Sequence, residues 1–191
     1  PLVVALAALL IVVIRWVVLS TDAQGGRLVY ALDDPYIHMA IAKNLARHGV
    51  WGITRYESSA ASSSPLWTLL LAAIYRITGP QEIAPFVLNV LCAVLTLGLM
   101  AALFRRHRLP PLFSLIMLLA VTFLTPLPTL IFTGQEHILH LLLTVAFTVL
   151  TARALLDDDL TMQSRPLLYM VLAAILPLVR YEALFMIAVA V

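Results

Sequence analysis

Five apolar runs set the frame within which this chain must fold: Leu2 to Ser20, Ala84 to Phe104, Leu112 to Thr125, Ile138 to Leu156 and Leu167 to Val191. Most approach the roughly 20 residues that a helix needs to cross a hydrocarbon layer. Inside lipid, every backbone N–H and C=O must find its partner within the segment, so runs of this length are expected to be helices. With 62% hydrophobic and only 12% charged residues among 191, the chain holds more apolar surface than a soluble core of this size can hide. The expected fold is therefore an all-α integral membrane protein, a multi-span helical bundle with a long first exoplasmic loop.

The boundaries expected are span 1 at 2–20, the loop at 21–82, span 2 at 84–104, span 3 at 112–133, span 4 at 138–156, and span 5 with the start of a sixth at 167–191. Span 3 is short if it stops at Thr125, but it continues through Thr133 if Pro126 and Pro128 only kink or break it. The last run contains Pro177, Arg180 and Glu182 and reads as two half-spans joined near that polar point. Leu2 to Leu19 lacks the small-residue cleavage pattern of a signal peptide and reads as an uncleaved span, with Arg15 able to snorkel to the interface. The chain starts at Pro1 and stops at Val191 inside an apolar run, which reads as part of a longer polypeptide.

The net charge of +2 and scattered basic residues exclude a nucleic-acid partner from the expectations. Cys92, the one cysteine, allows no intrachain disulfide and reads as a small buried hydrophobe. Basic residues near span ends give orientation. Arg105, Arg106 and Arg108 mark the cytoplasmic end of span 2, and Arg153 and Arg165 flank another short cytoplasmic loop. By alternation, Thr21 to Ser64, Pro126 to His137 and Arg180 to Glu182 all fall on the exoplasmic face.

Thr21 to Ser64 carries eight of the 22 charged residues, and within it lies the adjacent carboxylate pair Asp33 and Asp34, followed by Pro35 and Tyr36. Asp34-Pro35 has the form of an N-cap and a first-turn proline, so a helix is expected at about 35–47, ended by Gly49. Ile37, Ala40, Ile41 and Leu45 make its apolar face, whereas His38, Lys43 and Arg47 lie on other faces, as in an amphipathic helix on the membrane. Capping would account for Asp34 and leave Asp33 the freer group. His38, one turn on, can pair with Asp34 or a phosphate, or be a solvated surface side chain. A second interfacial helix is expected at about 65–77, where Trp67, Tyr75 and Arg76 accompany a run too short to span.

Glu57 to Pro65 is rich in serine and alanine and can wrap a sugar or a phosphate, or be a plain loop. Trp67 can stack on a sugar or anchor the helix at the interface. Thr133-Gly134-Gln135-Glu136-His137 and Arg180-Tyr181-Glu182 put ionisable groups at membrane depth, where they are costly and face a cavity or a partner. A structural pairing of Arg180 with Glu136 or Glu182 is the plainer account. No zinc-type spacing and no Walker or dinucleotide glycine motif is present, which leaves a nucleotide-sugar donor unsupported. Asp33 and Asp34 could hold a divalent cation through oxygen ligands; no cofactor is certain.

Asp33-Asp34-Pro35-Tyr36-Ile37-His38-Met39-Ala40, the segment Lys43 to Gly49, and Ser63-Ser64-Pro65-Leu66-Trp67 resemble the first exoplasmic loop of GT-C type glycosyltransferases. The arabinofuranosyltransferase-like branch resembles it most, with protein mannosyltransferases and lipid A aminoarabinose transferases more distant. Thr133 to Glu136 and Arg180 to Glu182 also fit that branch. The resemblance implies the N-terminal part of a larger GT-C module. It implies transfer, with inversion, of a sugar from a polyprenyl-phosphate donor to a glycan, lipid or protein acceptor on the exoplasmic side. It implies catalytic carboxylates at Asp33 and Asp34, and a multi-pass place in a bacterial inner membrane with the site facing the periplasm or exterior. Tyr56 to Ala61 departs from the branch, which tends to have glycine and tyrosine ahead of the Ser-Pro-Leu-Trp phrase.

A single displacement at an anomeric carbon needs a base for the acceptor proton and a cation for the departing phosphate. Asp33 is the candidate base, with Asp34 orienting it. Arg55, His38 and Arg180 are candidates for the phosphate; Tyr36, Ser63, Ser64, Trp67, Glu136, Tyr181 and Glu182 complete the candidate substrate-binding set. A transporter or flippase, kept open by Pro177 and Arg180, and a non-catalytic membrane subunit of the same fold are the competing expectations.

Overall fold

The computed structural model describes residues 1–156 and 166–190, and among these every regular element is a helix. They are α1 (Leu2–Ala23), α2 (Asp34–His48), α3 (Pro65–Thr78), α4 (Ala84–Arg106), α5 (Pro111–Leu124), α6 (Leu127–Thr133), α7 (His137–Leu156), α8 (Pro166–Val179) and α9 (Ala183–Ala190). Three stretches are long and apolar enough to cross a membrane: Leu2–Ala23, Ala84–Arg106 and, taken together, Pro111–Thr133. Arg165 and Asp157 to Asp159 lie outside the described residues.

Proline and glycine set most of the boundaries. Pro35, Pro65, Pro85, Pro111 and Pro128 stand in the first turn of α2 to α6, where a missing N–H costs nothing. Gly49 ends α2 in the left-handed region at φ 70°, its N–H returning to the Leu45 carbonyl. The expected third span is two helices, because the chain breaks at Thr125–Pro126 before resuming at Leu127. The last run breaks as well, into α8 and α9, and Arg180 to Glu182 form the connection.

Two ends of the bundle can be told apart. Pro1, Leu2, Arg105, Pro111 and Ser114 line one cavity of about 420 Å³, which gathers the start of α1, the end of α4 and the start of α5. At the other end the Phe132 ring lies 5.8 Å from Trp16 and 5.3 Å from Phe86, joining the end of α6 to the end of α1 and the start of α4. Helices α2 and α3 pack against each other, and Tyr30, just before α2, ties them down there. Its hydroxyl donates to the Glu82 carbonyl at 2.7 Å and accepts from the Phe86 N–H at 3.2 Å. Both α8 and α9 pack on α7 through Phe147, Leu172, Leu176 and Ala183.

The packing is that of helices among lipid. Ala5, Leu9 and Val13 form the buried stripe of α1, while Val3, Ile11, Ile14 and Val18 stand exposed, a face that water would not tolerate over this length. On α4 the buried face is Asn89, Cys92, Ala93, Thr96, Leu97 and Ala101, mostly small residues that let backbones approach. The Thr96 and Thr122 hydroxyls donate to carbonyls four residues back, which satisfies them without a partner helix. The chain is thus an all-helical protein of membrane character.

Candidate functional site

The site forms where the turn between α6 and α7, the connection between α8 and α9, and the N-terminal half of α2 converge. Gly134 makes this possible. It ends α6 at φ 68°, and a Cβ placed there would come 2.6 Å from the Tyr30 ring and 3.1 Å from the Pro35 Cβ. The absence of a side chain lets the Gly134–Glu136 backbone lie directly on the segment that carries Asp33 and Asp34. Gln135 and Glu136 are then both buried, at 6% and 3% exposure.

Gln135 Nε2 donates to Asp34 Oδ2 at 3.1 Å. Glu136 Oε1 accepts from Arg180 Nη1 at 3.0 Å, and Arg180 Nη2 donates to Glu182 Oε1 at 2.8 Å. Arg180 Nη1 is also 3.2 Å from His137 Nδ1. A guanidinium shared between two carboxylates in a fixed fork is the strong form of such pairing. One Glu136 oxygen, Oε2, accepts no hydrogen bond among the described residues and lies 3.7 Å from His38 Nε2.

His38 is held from below. Its Nδ1 meets Thr68 Oγ1 at 3.0 Å and Ser62 Oγ at 3.3 Å, and the two hydroxyls are themselves 2.9 Å apart. Ser63 Oγ lies 3.5 Å from Nε2. Burial pushes the imidazole pKa below its ordinary value, against the opposing pull of Glu136 and Asp34. Asn44, one turn and a half further along α2, donates to the carbonyls of Gly52 and Ile53 and so holds the loop ahead of the serine-rich segment.

Several expected residues stand elsewhere or act otherwise. Asp33, not Asp34, occupies the N-cap position of α2, and no side-chain capping bond is made there. Asp34 is already inside the first turn, with its carboxylate on Gln135 rather than on its own helix. The expectation that His38 is a solvated side chain or meets a phosphate fails because α2 buries it against α3, leaving 2% exposed. Trp67 cannot stack on a sugar: it is fully buried in the α2–α3 packing. Ser64 is buried at the N-cap of α3, again out of reach. Arg55 is exposed and turned onto its neighbour, with Nη2 2.7 Å from the Tyr56 hydroxyl and the guanidinium 4.8 Å over that ring. Tyr181 is exposed at the α8–α9 connection.

Sequence reasoning passed over Gln135, His137, Thr68 and Ser62 as individual contributors. Gln135 and His137 flank Glu136 inside the polar phrase at the head of α7, so their place beside an ionisable group was the available signal. Thr68 and Ser62 gave none, since their role depends on how α3 lies against α2. Among the described residues no group of three or more His, Cys, Asp or Glu side chains is arranged to hold a metal ion. The arrangement offers two exposed carboxylates, one braced and one without a side-chain partner among the described residues, beside a Glu–Arg–Glu relay in which Glu136 is buried and Arg180 and Glu182 are partly exposed. Comparisons with protein-family models, characterised proteins and solved structures return no match for this chain.

Proposed function

We propose that the chain is the catalytic membrane portion of a GT-C type glycosyltransferase, acting at an exoplasmic membrane surface on a polyprenyl-phosphate-linked sugar. The observation that carries this reading is the joining of Asp34 to Gln135 and of its neighbour Glu136 to Arg180, which brings an acidic pair and a cation to one end of a bundle of apolar helices. The resemblance of Asp33 to Ala40 and of the Ser63 to Trp67 phrase to that family's first loop supports the same reading.

In this reaction the acceptor hydroxyl oxygen attacks the anomeric carbon of the donor, and the bond from that carbon to the phosphate oxygen breaks, its electron pair remaining on the phosphate. The acceptor proton passes to the Asp33 carboxylate, which has no hydrogen-bond or ion-pair partner among the described residues and so is free to take it. Asp34, held by Gln135, orients the pair. Arg180, with 30% of its side chain exposed, supplies positive charge for the departing phosphate. Purified protein in nanodiscs, given a polyprenyl-phosphate sugar and a candidate acceptor, tests this: full turnover by both Asp33→Asn and Asp34→Asn sinks it.

The break between α8 and α9 favours a second reading, a transporter built on a discontinuous helix. Arg180-dependent flux across liposomes, without sugar transfer, would select it.

A further inference from the structure

The two faces of α2 carry different chemistry, and only one of them belongs to the site above. At about 100° per residue, Asp34 and His38 project roughly opposite to Tyr36, Ala40 and Lys43. The second face borders a separate cavity of about 300 Å³, lined by Tyr36, Met39, Lys43, Tyr75, Gln81 and Glu82. That volume is at the small end of the roughly 300–1,000 Å³ typical of ligand pockets. Its lining starts at Tyr36, two residues along the chain from Asp34.

The walls of this cavity are fixed before any ligand arrives. The Tyr75 hydroxyl donates to the Gln81 carbonyl at 3.1 Å, and the Tyr30 hydroxyl donates to the Glu82 carbonyl, so two phenols pin the short connection between α3 and α4. The Tyr36 hydroxyl accepts from the Tyr30 N–H at 2.9 Å, which fixes its ring while leaving its own proton to donate. Lys43 and Glu82 are both exposed, and neither makes an ion pair among the described residues. A flat tyrosine face, a free ammonium, a free carboxylate and an amide, arranged around a pocket of this size, suit a sugar ring: the aromatic face covers its C–H groups and the polar groups meet its hydroxyls.

We infer that this cavity is a saccharide-binding subsite, and, resting on the transferase reading, that it holds the acceptor sugar. The α2 N-terminus then separates two compartments. The Glu136–Arg180 side takes the donor phosphate, the Tyr36–Lys43 side takes the acceptor, and Asp33 stands at the border to collect the proton.

Saturation-transfer NMR on the protein in nanodiscs tests the subsite without any turnover. The probes are octyl α-D-arabinofuranoside and octyl α-D-mannopyranoside, with octyl tri(ethylene glycol) as the sugar-free control. The expected result is saturation of the sugar-ring protons of at least one glycoside, reduced several-fold in Tyr36→Ala, Lys43→Ala and Glu82→Gln and retained in Asp34→Asn. Lys43 and Glu82 are exposed, so those two variants keep the fold. Ring saturation no greater than that of the control, or unchanged by the three substitutions, overturns the subsite. Binding that follows the substitutions without any transfer activity would leave the subsite standing and refute the transferase reading. Transfer whose acceptor KM is indifferent to Lys43→Ala and Glu82→Gln would do the reverse.

Discussion

Asp34 Oδ2 accepts a hydrogen bond from Gln135 Nε2 at 3.1 Å, closing 101 residues of chain onto one carboxylate. Its neighbour Asp33 takes the N-cap position, where its side chain makes no capping bond. Adjacent acids are thereby given different environments by their packing. On the proposed transferase reading the difference predicts an asymmetry: Asp33→Asn should lower kcat by about 10²–10⁴-fold, the contribution of a general base, and Asp34→Asn by less. Initial rates of sugar transfer, normalised to folded protein, check the order.

Glu136 is 3% exposed and depends on Arg180 for its charge balance. Arg180→Met should destabilise the protein by about 3 kcal/mol, the low end for breaking a buried pair because Arg180 keeps 30% exposure. Glu136→Gln in that background should restore part of the loss. Thermal unfolding of the four proteins in a double-mutant cycle measures the coupling, and additive effects would contradict the pairing.

Gly134→Ala should cost about 1–3 kcal/mol, because a residue with a Cβ is strained at φ 68° and would meet the Tyr30 ring at 2.6 Å. Tyr30→Leu removes the ring but also the hydroxyl that serves Glu82 and Phe86, so it should not rescue the fold. Unfolding midpoints of the single and double variants are the readout.

Stability should fall as pH drops below about 6.5, the ordinary histidine value. Burial lowers the pKa of folded His38, so the unfolded chain binds more protons in the window between the two values, and unfolding is favoured as pH descends through it. Glu136 and Asp34 oppose this with their charge, while Thr68, Ser62 and Ser63 offer His38 only hydroxyls. His38→Gln should flatten the pH profile of thermal unfolding between pH 7 and pH 5.

Helix α2 was readable almost to its ends, at 35–47 against Asp34–His48, because a proline and a glycine bracket it and neither depends on tertiary context. Helix α3 was readable for the same reason. The role of Asp34 was not. Local capping chemistry favours an Asp ahead of Pro, but the helix begins one residue earlier and Gln135 competes for the carboxylate from a distant turn. His38 and Trp67 were misjudged together. Both lie on the α2–α3 contact, and hydrophobic periodicity within one amphipathic helix does not reveal that a second will cover its polar face. The pairing of Arg180 with Glu136 or Glu182 was legible as one option, since ionisable groups at membrane depth need a partner, and the structure makes both contacts.

The separation of 44 positions between Glu136 and Arg180 sets an order of events during synthesis. Glu136 is made with the head of α7 while its cation is still to come, and a buried carboxylate without a partner is costly. Only when α8 turns into α9 does Arg180 arrive to pair with it. The Glu136–Arg180 contact therefore closes late, and a nascent chain halted ahead of Arg180 would carry Asp33 and Asp34 but leave Glu136 without its cation.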